Sequence, residues 1–91
     1  MKIVISKQAK KQLDECPHYI FRKYLYWNNL LETYGLIETR KIKGFHDEPL
    51  KGHRTGQRSV RLSRSYRIIY IELDSKKYEL LEIIEVNKHE Y

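Results

Sequence analysis

The chain has a single cysteine, two prolines and four glycines in 91 residues, and each scarcity excludes something. Cys16 alone cannot close an internal disulfide and has no CxxC partner, so nothing in the sequence points to an oxidising compartment. No apolar run approaches the roughly 20 residues that span a bilayer. The opening Met1-Lys2-Ile3-Val4-Ile5-Ser6 is too short and too soon polar for a signal peptide. A cytoplasmic protein that makes no use of a membrane is expected. The histidines and the cysteine show no HxxxH or CxxC spacing, and no metal site or other cofactor is expected. Few prolines and glycines, with an apolar share of 41%, leave room for regular elements and one modest core: a single domain over 1–91.

Charge is plentiful and unevenly placed. Residues 40–67 carry nine Lys/Arg (Arg40, Lys41, Lys43, Lys51, Arg54, Arg58, Arg61, Arg64, Arg67) against Asp47 and Glu48, a net of +7. Residues 1–39 have six cations against four acids, and residues 68–91 three against six. The overall +6 therefore sits in one 28-residue block. Clustered positive charge is the footprint of phosphate binding, and an acidic protein partner would also fit it. The last four residues add Lys88-His89-Glu90-Tyr91, an imidazole, a carboxylate and a phenol in a row. His89 brings an imidazole, the side chain whose unperturbed charge change lies nearest neutrality, and is suited to proton transfer.

Periodicity gives the elements. Ile3-Val4-Ile5 reads as a short edge strand, and Ser6 as the cap of a helix with Ala9, Leu13 and Cys16 on one face. Pro17 ends that helix or opens the next. Ile20, Tyr24, Trp27, Leu31 and Tyr34 recur at steps of four and three, an amphipathic stripe stopped by Gly35. Residues 36–42 suggest one more helical turn. Gly44, Pro49, Gly52 and Gly56 then punctuate a loop. Three strand-like runs follow, at 57–63, 66–73 and 78–86, the last two joined by a turn at 74–77. Both faces of those two carry apolar residues, so pattern does not say which face takes the helices. The expected fold class is α+β: a short N-terminal strand, two helices, then a three-stranded antiparallel sheet with the helices packed on one face.

That order, with Glu48-Pro49-Leu50-Lys51-Gly52, Gly56, Arg61, and Tyr66-Arg67-Ile68-Ile69-Tyr70, resembles the RelE/ParE superfamily of toxins, in particular its YoeB-like mRNA endonucleases. The motif covers the C-terminal half; over the helices the likeness is architectural. The family's chain ends in His directly followed by Tyr, whereas here Glu90 separates His89 from Tyr91. The resemblance implies the toxin of a type II toxin–antitoxin pair, cleaving mRNA in the ribosomal A site by metal-independent attack of the 2′-hydroxyl. Its partners would be the mRNA, the ribosome and a cognate antitoxin. It casts Glu48 as general base, Arg67 as phosphate stabiliser, His89 as general acid and Tyr91 as a stacking or orienting group. Lys51 and Arg61 would be supporting cations, and Arg54, Arg58 and Arg64 would meet phosphates or the antitoxin. His46 and His53 lie in the basic loop; some relatives in the superfamily use loop histidines in catalysis, and here both are read first as phosphate contacts, with a catalytic part left open. From the residues alone Glu48 reads as an ordinary loop carboxylate paired to a neighbouring cation. Two other functions fit the same sequence: a ParE-like inhibitor of DNA gyrase, and a non-catalytic RNA-binding module.

Overall fold

The computed structural model describes residues 2–73 and 80–88. Their elements run β1 (Lys2–Ile5), α1 (Lys7–Asp14), α2 (His18–Arg40), β2 (Glu48–Pro49), β3 (Gln57–Arg61), β4 (Tyr66–Glu72) and β5 (Leu80–Lys88). Single 3-10 turns at Lys43–Phe45 and Gly52–Arg54 flank β2. The expected turn at 74–77 and the terminal His89, Glu90 and Tyr91 lie outside the described residues.

Local chemistry fixes the helices. The Ser6 hydroxyl accepts from the Ala9 amide at 3.0 Å, which satisfies one of the donors a helix start leaves open. The same oxygen donates to the Ile84 carbonyl at 3.2 Å, tying the cap to the last strand. Pro17 then stands at the entry of α2, where its missing N–H costs nothing. Gly35, at φ 81° and ψ 171°, breaks α2 before a final helical stretch ending at Arg40. A side chain at that backbone angle would be strained, which is why the sequence stop and the structural break coincide. Of the anticipated stripe, Ile20, Trp27 and Leu31 are buried and Tyr24 is half-buried. Tyr34 departs from it: in the last turn before the break it is 63% exposed.

The sheet has five strands in the order β1-β5-β4-β3-β2, not the three expected. β1 lies at an edge, as read, but pairs parallel to β5, with Ile3 opposite Leu81 and Ile5 opposite Ile83. β2, expected as loop, pairs antiparallel to β3 through Glu48 and Pro49. Two residues are too few for alternation to show, and a proline is tolerated there because the other side of an edge strand needs no donor.

The helices take the face of Val60, Ile68 and Tyr70, with the Trp27 and Tyr70 rings 5.9 Å apart. β5 reaches that face through a bulge. Tyr70 pairs Ile83 while Ile69 pairs Glu85, so Ile84 is the extra residue and the alternation shifts by one. Leu81 and Ile83 before the bulge, and Val86 after it, all turn into the core. Glu85 and Asn87 are thereby delivered to the opposite face.

A polar knot locks the end of α2 to the sheet on the core side. Asp47, with 2% of its side chain exposed, accepts from Arg58 Nε at 2.7 Å and from the Tyr70 hydroxyl at 2.6 Å. Arg40 approaches Asp47 at 3.9 Å and also reaches the Tyr70 hydroxyl and the Glu72 carboxylate. Burial first, and then the hydrogen bond to a carboxylate, push the Tyr70 phenol well above its usual value.

Candidate active site

Antiparallel register sets out the face away from the helices, because residues directly opposite share a face. One row reads Glu48, Ser59, Ile69, Glu85 from β2 to β5, and the next reads Arg61, Arg67, Asn87. Strand spacing and rise put the Glu48 and Arg67 Cα atoms about 12 Å apart, within convergent reach of their side chains. Glu48 is exposed, whereas Arg61 and Arg67 are half-buried.

Arg61 and Arg67 face each other directly across the ladder. Like charges so placed repel, and a fold has no use for the pair. Among the described residues neither guanidinium forms an ion pair. Arg67 Nη1 donates to the Ser59 hydroxyl at 3.2 Å. An anion between them is the natural complement, and a phosphate fits the arginine fork.

Arg54 takes a different part. Positive φ at Gly52 (69°) and Gly56 (96°) folds the loop back, and the Leu50 amide closes it on the Gln57 carbonyl at 2.9 Å. Arg54 then crosses the sheet face, giving Nη1 to Gln57 Oε1 at 2.9 Å on β3 and Nη2 to Glu85 Oε1 at 3.0 Å on β5. Ile69 lies on this face between those strands, only 4% exposed. Burial alone would raise the Glu85 carboxyl, but hydrogen bonds from Asn87 and Arg54 outweigh it and hold the group below its usual value. Because the folded value is depressed, the strap contributes above the unfolded value of 4.5 and is lost as pH falls below it. Amide protection over residues 52–55 is therefore expected to drop in acid, and to be already low at neutral pH in Glu85→Gln. Hydrogen exchange by mass spectrometry checks this; equal protection in both proteins would show that Arg54 does not hold the loop.

The sequence-derived site thus sorts into groups. Glu48, Arg61 and Arg67 come together on one face, with Arg54 strapped beside them. Lys51 and His53 are exposed in the loop before β3, and Arg64 is exposed in the turn before β4. Arg58 does not join them: it lies opposite Tyr70 on the core side, its guanidinium engaged by Asp47. His46 is exposed in a left-handed turn at φ 45°. His89 and Tyr91 lie outside the described residues, but β5 can be followed to Lys88, one residue past the partner of Arg67. Sequence reasoning missed Ser59, Glu85 and Asn87. Nothing local marks them; they become visible only through the register and the β5 bulge. No three His, Cys, Asp or Glu side chains among the described residues group as metal ligands, and no described helix is long and apolar enough to cross a membrane.

Comparison with known proteins places this architecture. No family model and no curated protein sequence matches the chain. Solved structures do. The archaeal RelE of the RelE-RelB complex from Pyrococcus horikoshii is 28% identical, with a TM-score of 0.71, over 96% of this chain and 92% of its own. A YoeB/ParE toxin from Agrobacterium tumefaciens superposes with a TM-score of 0.70 at 22% identity, covering 99% of this chain and all of the other. This chain has the RelE/ParE toxin fold. YoeB from a heterotetrameric YoeB-YefM toxin-antitoxin complex of Staphylococcus aureus aligns over the full chain, with a TM-score of 0.69 at 21% identity. The likeness in fold therefore extends over nearly all of the chain and not over its C-terminal half alone.

Proposed function

We propose that this protein is the toxin of a type II toxin–antitoxin pair and cleaves mRNA in the ribosomal A site. The observation that carries the reading is the cross-strand pair Arg61 and Arg67, on the same sheet face as Glu48 and without a carboxylate partner among the described residues. The fold shared with RelE and YoeB supports it.

Cleavage by the substrate's own 2′-hydroxyl needs a base for that hydroxyl, an acid for the departing 5′-oxygen and cations for the phosphorane. Glu48 takes the hydroxyl proton from its exposed position at the sheet edge. Arg67, with Arg61 beside it, takes the developing charge on the phosphate oxygens. His89, bonded directly to Lys88 at the end of β5, gives a proton to the leaving oxygen. Tyr91 orients or stacks on the nucleotide. The products are a 2′,3′-cyclic phosphate and a 5′-hydroxyl. Lys51, His53 and Arg64 are exposed cationic or titratable groups around this face and contact flanking phosphates. The ribosome supplies attack-ready RNA geometry, which lets a sparse site act. The antitoxin's docking segment is amphipathic and acidic. The basic block and the exposed apolar side chains Tyr19, Tyr26, Tyr34 and Ile37 of α2 provide its complement.

Primer extension on an mRNA translated in a purified system tests the proposal, with wild type, Glu48→Gln and His89→Ala. Cuts in phase with the stalled codon are expected for wild type and are lost in both variants. An uncut message at ample toxin overturns the nuclease; inhibition in a gyrase supercoiling assay would then identify the ParE-like activity, and RNA binding without cutting the non-catalytic module.

A further inference from the structure

Ser59 is the odd residue of the site face. It lies in the middle of β3, held between β2 and β4 by ladders on both sides, and is only 1% exposed. An apolar side chain would be the ordinary occupant of so enclosed a strand position. A buried hydroxyl requires a partner, and the one this structure gives it is Arg67 Nη1 at 3.2 Å.

The bond is placed where Arg67 needs it. Arg61, its direct cross-strand neighbour, repels it, and the nearest acid of the adjoining row, Glu85, is already taken by Arg54 and Asn87. With no carboxylate among the described residues holding it, a long side chain beside a like charge would swing outward among many rotamers. The serine oxygen fixes one Nη by a neutral acceptor. A carboxylate in its place would fix the group equally well but would cancel the charge that a phosphate must meet. Nε and the remaining N–H groups have no side-chain partner among the described residues and are available for the anion.

We propose that Ser59 is a positioning residue that holds the Arg67 guanidinium on the site face in the orientation in which it receives the scissile phosphate, by a bond to a neutral acceptor. The inference rests on the mRNA-cleavage reading above for its functional half and on geometry alone for its structural half. Ser59 is too enclosed to meet the RNA, so it acts only through Arg67.

The two halves are tested separately on the full chain. In the free protein, nitrogen-detected NMR of the arginine side chains is expected to show slow rotation about the Arg67 Cζ–N bonds, becoming fast in Ser59→Ala while the Ile69 methyl signals stay in place. Equal rotation in the two proteins overturns the proposal whatever the protein does to RNA. In single-turnover cleavage on programmed ribosomes, Ser59→Ala is expected to lower the rate about 10-fold to 100-fold, as for a catalytic group displaced by a fraction of an ångström to an ångström, with half-saturation unchanged. An unchanged rate, or a loss confined to half-saturation, refutes the positioning role. If the wild type cuts no message, the cleavage reading fails and the NMR result still decides whether Ser59 holds Arg67.

Discussion

Arg67→Ala is expected to lower mRNA cleavage by about 10²- to 10³-fold, the usual loss when one donor to a developing oxyanion is removed. Ribosome binding should change far less, because Lys43, Lys51, Arg61 and Arg64 of the 40–67 block, in no ion pair among the described residues, remain to meet phosphates. The same substitution should lower the melting temperature only slightly, because the enclosed Ser59 hydroxyl loses its partner while a repulsion is relieved. Arg67 contributes one hydrogen bond to Ser59, and it stands opposite Arg61, so its removal relieves a repulsion. A large loss of activity beside a small loss of stability is the signature of a group kept for chemistry rather than for the fold. Cleavage assays beside thermal denaturation read both quantities. Equal losses in cleavage and ribosome affinity would recast Arg67 as a docking residue, and a large drop in melting temperature would make it structural.

Asp47→Ala is expected to have the opposite profile. The carboxylate is nearly inaccessible, and removing it strands the Arg58 guanidinium and the Tyr70 hydroxyl that point at it, along with the neighbouring Arg40. Breaking such a knot by deleting one partner costs about 3–5 kcal/mol. That is a large part of the 5–15 kcal/mol that holds a typical domain together. A fall in melting temperature of roughly 12 °C or more should follow. Asp47→Asn, which keeps an acceptor in place, should lose less. Urea denaturation of the two variants gives the comparison; a change of under about 1 kcal/mol in Asp47→Ala would mean that water replaces the carboxylate. Two adjacent acids thus have separate duties: Asp47 clamps the chain to the core side, and Glu48 begins the strand that reaches the site.

Local signals made the helical half legible. Ser6, Pro17 and Gly35 act within a few residues of themselves, and the steps of Ile20, Trp27 and Leu31 report a buried face directly. Tyr34 escaped because periodicity assumes a helix that continues, and Gly35 ends it there. Of the sites, the block around Arg61 and Arg67 was readable as charge, and the resemblance singled out Glu48 beside it. Charge alone could not separate Arg58 from Arg67, because that depends on which side of the sheet each occupies. Nor could it show that Arg54 is engaged with Glu85.

What the sequence by itself determined is the order of the two helices and of four of the five strands, their approximate limits and the concentration of positive charge after α2. Those features are written in short-range periods, caps and turn residues, whose physics acts over one or two turns of chain. Only the tertiary structure decided that β1 pairs with β5, that Glu48 and Pro49 add a fifth strand, and that the bulge at Ile84 turns Glu85 and Asn87 toward the arginines. Strands with apolar residues on both faces carry no local record of which face will be covered. That choice is made by pairing between residues far apart in the chain, and it divides the cations into those that hold the fold and those with no ion pair among the described residues.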